Sequence, residues 1–343
     1  MSFAISRRNF LMASAAAAAA GCTTTSAVTS DPWSDGSTLL TEGGIRVRFL
    51  GSGAASWKPE WAKKNPHMRR QSSVLIENKV LIDFTKCSFD KMPEGCHPEV
   101  LFQTHSHGDH YNPSAAVKSG VKRMYVQESW AAAAKAEVAA AAGKLGLPAP
   151  EVIGLPFGKS VTVCGLRIMG VPANHSTSRV TDGVLERTSL YLVEKGPSRL
   201  LYATDTGGIP GDAARMVGID PHVSDGNFGK VPVFSGNPFV NPPKPITAFV
   251  MEATNGDLDD DFRVFVHSSV QTVARIVSGL VKTKRFVPPA GQNAYLTHLG
   301  IKYRGWASER IEQEIPTLLP ENILKNMPAP IRAASDGLEV VLG

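Results

Sequence analysis

Three of the nine histidines in this 343-residue chain fall within six consecutive positions, His105-Ser106-His107-Gly108-Asp109-His110. Positions 105, 107, 109 and 110 all offer metal-ligating atoms, and imidazole and carboxylate donors at this density suit zinc or a similar transition metal. A lone histidine is more often structural or merely exposed; four ligand-type residues in six positions point to metal binding. The apolar run Val100-Leu101-Phe102 just before them reads as a strand whose end fixes the backbone. Gly108 permits a tight turn at little steric cost, so the loop can bring its side chains together.

The run Thr104 to His110 resembles the H-x-H-x-D-H signature of the metallo-β-lactamase-fold hydrolases. The other parts of that pattern follow in order: His175 in Pro172-Ala173-Asn174-His175-Ser176, Asp205 in Leu201-Tyr202-Ala203-Thr204-Asp205-Thr206, and His298 in Tyr295-Leu296-Thr297-His298-Leu299. Ala334-Ser335-Asp336-Gly337, ahead of the last apolar stretch, resembles the usual C-terminal ending. The resemblance spans residues 45–343 and implies an α/β fold, a four-layered αββα sandwich. It also implies that His105, His107 and His175 hold one divalent ion, that Asp109, His110 and His298 hold a second, and that Asp205 bridges them. Two close cations need a shared anionic ligand to limit their repulsion. Zinc is the first expectation, with manganese or iron accepted by the same donors. Water bound to such ions has its pKa lowered to about 7, so hydroxide is available at neutral pH to attack a substrate.

Two further matches narrow the branch. Met251-Glu252-Ala253-Thr254 stands where ribonuclease-Z-like members carry His-Glu-Ala-Thr, with methionine replacing the histidine, and Val266-His267-Ser268-Ser269 opens a helix as a histidine does in those members. The resemblance implies a proton relay of Glu252 and His267, with His267 protonating a leaving oxygen and Asp109 as a third catalytic group. The other reading makes Glu252 a strand-end carboxylate and His267 a capping neighbour. The branch includes phosphodiesterases, so the expected reaction is hydrolysis of a phosphoester, foremost a phosphodiester, on a small anionic molecule. Lactonase, arylsulfatase and thioesterase-like chemistry share the ligand set. A surface lipoprotein that uses a metallated fold only to bind a partner is the non-enzyme alternative.

The elements that must position these residues follow from patterning. Ile45 to Leu50 alternates as a strand, and Ser73 to Glu77 with Lys79 to Phe84 reads as a hairpin around Asn78. Strands are expected at 99–104, 161–171, 189–194, 199–204, 246–252, 294–297 and 338–342. Helices are expected at 127–145, which is rich in alanine, and at 270–281 and 308–315. Hydrophobic residues at 43% and charged residues at 20% exclude a disordered or collagen-like chain. Four cysteines are too few for a disulfide scaffold, and Cys87 and Cys96 read either as a pair or as separate thiols. A net charge of +5, from 36 basic and 31 acidic residues, gives no argument for nucleic acid as a partner. Lys58, Lys63, Lys64, Arg69 and Arg70, with Lys302 and Arg304, read either as a collar for an anionic substrate or as solvated charge. Trp57, Trp61 and Trp306 either line a pocket or pack. His67, His97 and His222 match no motif and read as exposed, with substrate contact as the alternative for His222. Residues 206–245 contain seven glycines and seven prolines, the composition of a long irregular segment that is either functional, as a lid, or disordered.

At the N-terminus, Arg7-Arg8 precedes the short apolar run Leu11 to Ala20, which resembles a twin-arginine export signal. No apolar stretch reaches the ~18 residues of a membrane-spanning helix. Ala19-Ala20-Gly21-Cys22 resembles a bacterial lipobox and implies a lipid anchor on Cys22; cleavage after an Ala-x-Ala stretch is the alternative. The expected organisation is a signal at 1–21, a flexible polar tether at 22–44 and a hydrolase domain at 45–343. The expected location is the periplasm, free or membrane-anchored, which argues against tRNA as the natural substrate. Oligomeric state is left open.

Overall fold

Period-two alternation builds the first strand. Ile45, Val47 and Phe49 of β1 (Ile45–Gly51) are fully buried, while Arg46 and Arg48 turn outward to share Glu339 at 3.2 Å each. The computed structural model describes residues 34–219, 244–257, 266–300 and 302–343. The signal-like residues 1–21, Cys22, His222 and the greater part of the Gly/Pro-rich stretch lie outside the described residues.

After β1 the chain forms β2 (Ser73–Ile76), β3 (Val80–Ile82), β4 (Val100–Phe102), β5 (Arg123–Gln127) and β6 (Glu151–Leu155). It then forms β7 (Ser160–Val163), β8 (Leu166–Thr181), β9 (Val184–Lys195), β10 (Ser198–Ala203), β11 (Ala248–Glu252), β12 (Tyr295–Thr297) and β13 (Arg332–Ala333), and returns with β14 (Glu339–Leu342). These strands make two seven-stranded sheets, ordered β14-β1-β2-β3-β4-β5-β6 and β13-β12-β11-β10-β9-β8-β7. Each sheet has an antiparallel half that turns parallel, at β3 in the first and at β10 in the second. This duplicated pattern has no visible counterpart in the sequence.

The sheets face each other across Val47, Phe49, Phe102, Tyr125, Tyr191, Tyr202 and Val250, all buried. Helices Pro113–Lys118 and Ala131–Leu145 cover the outer face of the first sheet. Helix Val270–Lys282, capped by Ser269 Oγ accepting from Thr272 N–H at 3.0 Å, covers the second. The result is the expected αββα sandwich.

Several boundaries differ from the sequence expectation. The helix expected from Gln127 begins at Ala131, because Arg123–Gln127 is instead a short parallel strand and Glu128–Trp130 a 3-10 turn. A strand buried on both faces shows no alternation, so periodicity does not reveal it. The single strand expected over 161–171 is two strands, β7 and β8. They meet at Cys164-Gly165, whose φ values of 51° and 77° make the left-handed two-residue turn that reverses a hairpin. β8 then runs on to Thr181 and pairs with β9 across Asp182-Gly183. The described end of the polar stretch is docked: Leu40 N–H donates to Gly165 O at 2.8 Å, and Asp35 Oδ2 and Ser37 Oγ accept from Cys164 and Gly165 N–H at 2.7 Å. Cys87, Cys96 and Cys164 are all free thiols. No described helix is long and apolar enough to cross a membrane.

Candidate metal centre

The site forms where the parallel strands of both sheets end. Asp83 follows β3, the His105–His110 loop follows β4, Asp205 follows β10, Glu252 ends β11 and His298 follows β12, while His175 lies within β8. This is the edge at which open α/β sheets characteristically bind ligands. Asp83, Asp205 and His298 adopt φ values of 55°, 47° and 48°, in the left-handed region. Such a backbone costs roughly 1–3 kcal/mol per non-glycine residue, and here it turns each side chain off its strand into a common cleft.

Two ligand sets result. The donor atoms of His105, His107, His175 and Asp205 lie within 4.8 Å of one another, and so do those of Asp109, His110, Asp205 and His298. All seven residues singled out in the sequence as ligands are therefore brought together, with Asp205 in both sets. Its Oδ2 is 3.1 Å from His105 Nε2 and 3.0 Å from His110 Nε2.

The hydrogen bonds on the outer ring nitrogens decide what the inner ones present. Val266 O can only accept, so His175 Nδ1 carries the proton of their 3.2 Å contact. Thr104 Oγ1 donates to Asp83, so it accepts from His105 Nδ1–H at 2.9 Å. His110 Nδ1–H donates to Asp83 Oδ2 at 2.7 Å. Thr254 Oγ1 donates to His298 O at 3.1 Å and accepts from His298 Nδ1–H at 2.7 Å. With Nδ1–H committed outward, the four rings turn Nε2 inward, toward each other and toward two carboxylates. His110 Nε2 and His298 Nε2 stand 3.0 Å apart, and His175 Nε2 is 3.2 Å from His107 Nδ1. Asp205 Oδ1 is buried with no aligned donor, because the nearby His298 Nδ1–H is directed at Thr254. A buried convergence of ring nitrogens around an unsatisfied carboxylate oxygen is stabilised by cations. The residues present fit a pair of divalent ions.

Without a cation, protons take that role. Burial alone would lower the pKa of His110, but the carboxylates of Asp205, Asp83 and Asp109 outweigh it and hold the ring well above its usual value. The same balance, dominated among the charges by Asp205, pushes His298 up to about 9. Asp205 is held well below the usual carboxylate range: burial opposes ionisation, and His298 and His110 overcome it. His175 goes the other way, to about 4, through burial. Metal uptake needs the neutral His298 ring, so between pH 7 and about 9 binding should release its proton, and apparent affinity should rise with pH across that window. Calorimetry in buffers of different ionisation enthalpy measures the protons released; a count that stays at zero through the window would contradict this.

Beside the ligands, Glu252 and His267 form the pair anticipated from sequence, with His267 Nδ1 2.9 Å from Glu252 Oε1. Asp109 is fixed by Ala55 N–H at 2.9 Å and lies 3.4 Å from His298 Nε2. Much of the basic set read as either a collar or solvated charge has structural partners. Arg69 is buried and donates to Ser52 Oγ, Ser308 Oγ and the carbonyls of Ala334 and Trp306. Arg70 pairs with Asp90 and Asp336, and Lys302 with Asp257 and Glu314. Lys58, Lys63 and Lys64 are exposed on and beside helix Pro59–Lys64. Trp306 packs against Tyr303 and Arg310, and Trp57 stacks under Arg70. His67 and His97 are exposed. Sequence reasoning missed Asp83, which receives Gln103 Nε2–H, Thr104 N–H and Thr104 Oγ–H besides His110. The available signal was an acid directly after the apolar strand Val80-Leu81-Ile82.

Residues 90–231 match the family model described as "Beta-lactamase superfamily domain". Among solved structures, the metallo-β-lactamase-fold protein YhfI of Bacillus subtilis aligns with a TM-score of 0.53 at 12% identity, covering 88% of this chain and 100% of that one. The short form of human tRNase Z aligns at 0.51 and 14% identity, covering 86% and 98%. Zn2+-bound PqqB of Methylobacterium extorquens aligns at 0.52 and 13% identity, covering 86% and 99%. No curated protein matches the sequence. With the sheet topology above, these likenesses establish the metallo-β-lactamase fold.

Proposed function

We propose that this metallo-β-lactamase-fold protein is an exported dinuclear-metal hydrolase that cleaves a phosphoester, foremost a phosphodiester, of a small anionic substrate. The observation that carries the reading is the Glu252–His267 pair beside the two ligand sets. Glu252 is fully buried and accepts three hydrogen bonds, from Thr206 N–H at 2.7 Å, Thr254 N–H at 2.9 Å and His267 Nδ1–H at 2.9 Å. Three donors hold its two oxygens in place, and its bond with Nδ1–H orients the His267 ring. Burial lowers the pKa of His267, but the Glu252 charge outweighs it and raises the value above the ordinary one. The His267 side chain keeps 17% of its surface exposed, so it can meet a substrate.

When bound by the two sets, divalent cations lower the pKa of a water to about 7 and withdraw charge from a substrate oxygen. The chain's own part is to orient and to move protons. Asp83, Thr104, Thr254 and Val266 O lock the ligand rings, and Asp205 supplies the shared negative charge. His267, whose protonated form the Glu252 charge favours, donates a proton to the departing oxygen as the ester bond breaks. That help matters most for an alkoxide and little for a thiolate, which favours phosphodiesters over thioesters. A fold neighbour is named as a tRNase, an enzyme of phosphodiester bonds. Export rests on the Arg7-Arg8 pattern and is tested by fractionation of cells producing the full chain.

Metal-loaded protein is expected to hydrolyse bis-p-nitrophenyl phosphate and to lose that activity in His105→Ala. Turnover of lactones or sulfate esters, with none on any phosphodiester, would overturn the substrate assignment.

A further inference from the structure

One buried carboxylate outside both ligand sets grips the ligand loop. The Glu186 side chain is 0% exposed. A carboxyl group buried so completely costs free energy unless its oxygens are hydrogen-bonded. Ser106 N–H donates to its Oε1 at 2.7 Å, Ser106 Oγ–H donates to its Oε2, and Arg179 Nε lies 3.5 Å from Oε2. Arg179 is itself anchored, by Glu137 at 2.8 Å and over the Trp130 ring.

Ser106 stands between two ligands, His105 and His107, so the hydrogen bond to its amide sets the plane of the peptide that joins it to His105. Glu186 comes from β9, and the strand paired with it, β8, carries the third ligand of the same set, His175. Two further bonds tie the hairpin to this set: Thr188 Oγ1–H donates to His175 O at 2.9 Å, and Ser189 N–H donates to Thr104 O at 3.0 Å. The hairpin therefore delivers one ligand and holds the other two. The second set is fixed by other groups, His110 by Asp83, His298 by Thr254 and Asp109 by Ala55 N–H.

We infer that Glu186 is a positioning residue for one metal site only, the site of His105, His107 and His175, and that it acts through Ser106. The inference rests on the dinuclear reading above. Partners in this outer position typically change metal affinity by about 10–100-fold.

Full-length protein would be titrated with Co2+ and with Zn2+ against a competing chelator, with His175→Ala and His298→Ala identifying spectroscopically which ion belongs to which set. Glu186→Ala should weaken the ion lost in His175→Ala by about 10–100-fold and leave the other within about threefold. Glu186→Gln keeps the shape and one acceptor and should recover most of the loss. Ser106→Ala removes only the hydroxyl contact and should weaken the same ion by less. The Gln and Ser106 variants keep the test alive if the alanine variant does not fold. Equal weakening of both ions, or no change in either, overturns the inference by making Glu186 a general support or a bystander. Wild-type protein that binds only one ion overturns the dinuclear reading itself, and the inference with it.

Discussion

Asp205→Asn is expected to strip both cations from the protein and to abolish hydrolysis. The substitution keeps the shape but removes the only charge common to both ligand sets. Outer partners of metal ligands already change affinity about 10–100-fold, so loss of a shared direct ligand should exceed about 100-fold for each ion. The variant should still fold, because a neutral amide is easier to bury than the carboxylate. Metal content after gel filtration, read with kcat/KM, tests this. A variant that retains two ions at wild-type affinity would show that Asp205 does not bridge. His298→Ala, by contrast, should cost one ion and spare the other, since the His105, His107 and His175 set does not include it.

The second large effect concerns proton delivery. His267→Ala should lower kcat by about 10²–10⁴-fold on a diester with an alkoxide leaving group. On a p-nitrophenyl ester the loss should be much smaller, because that leaving group departs as a stable anion without a proton. A merely structural His267 would depress both substrates alike, so equal losses would contradict the assignment. The pH profile gives an independent check. A general acid is active while protonated, so the rate falls as pH rises through the His267 pKa, which Glu252 raises. Glu252→Gln removes the charge that favours the imidazolium, so the alkaline limb should move to lower pH. Movement to higher pH, or none, would exclude Glu252 as the source of the shift.

What was legible in the sequence depended on how locally each feature is encoded. His105, His107, Asp109 and His110 sit in one loop, and their types and spacing alone signal metal chemistry. His175, Asp205 and His298 needed the family resemblance, because each is a single polar residue at a strand that sequence order does not bring near the loop. Asp83 and Glu186 went unread for the same reason without a resemblance to help: an isolated acid acquires meaning only when β3 lies beside β4 and β9 folds over the ligand loop. Among the elements, β1 and helix Val270–Lys282 show their own periodicity, whereas β5 and β6 are short strands placed by parallel pairing. The Cys164-Gly165 turn was hidden because cysteine is an unusual occupant of a left-handed position where asparagine or aspartate is the usual signal. Arg69, Arg70 and Lys302 read in sequence equally as a substrate collar or as solvated charge, and only their partners reveal bracing contacts.

The docked strip at Ser34 to Leu40 adds hydrogen bonds to the β7–β8 hairpin, at the start of the strand that carries His175. Ser34 Oγ and Asp35 N–H bond to Thr162, which pairs with Arg167 at the start of β8, and His175 lies eight residues farther along that strand, roughly 26 Å away. The docked strip and the ligand cluster are therefore served by separate stretches of one strand, so a change at Ser34 or Asp35 should reach the cleft only through the length of β8.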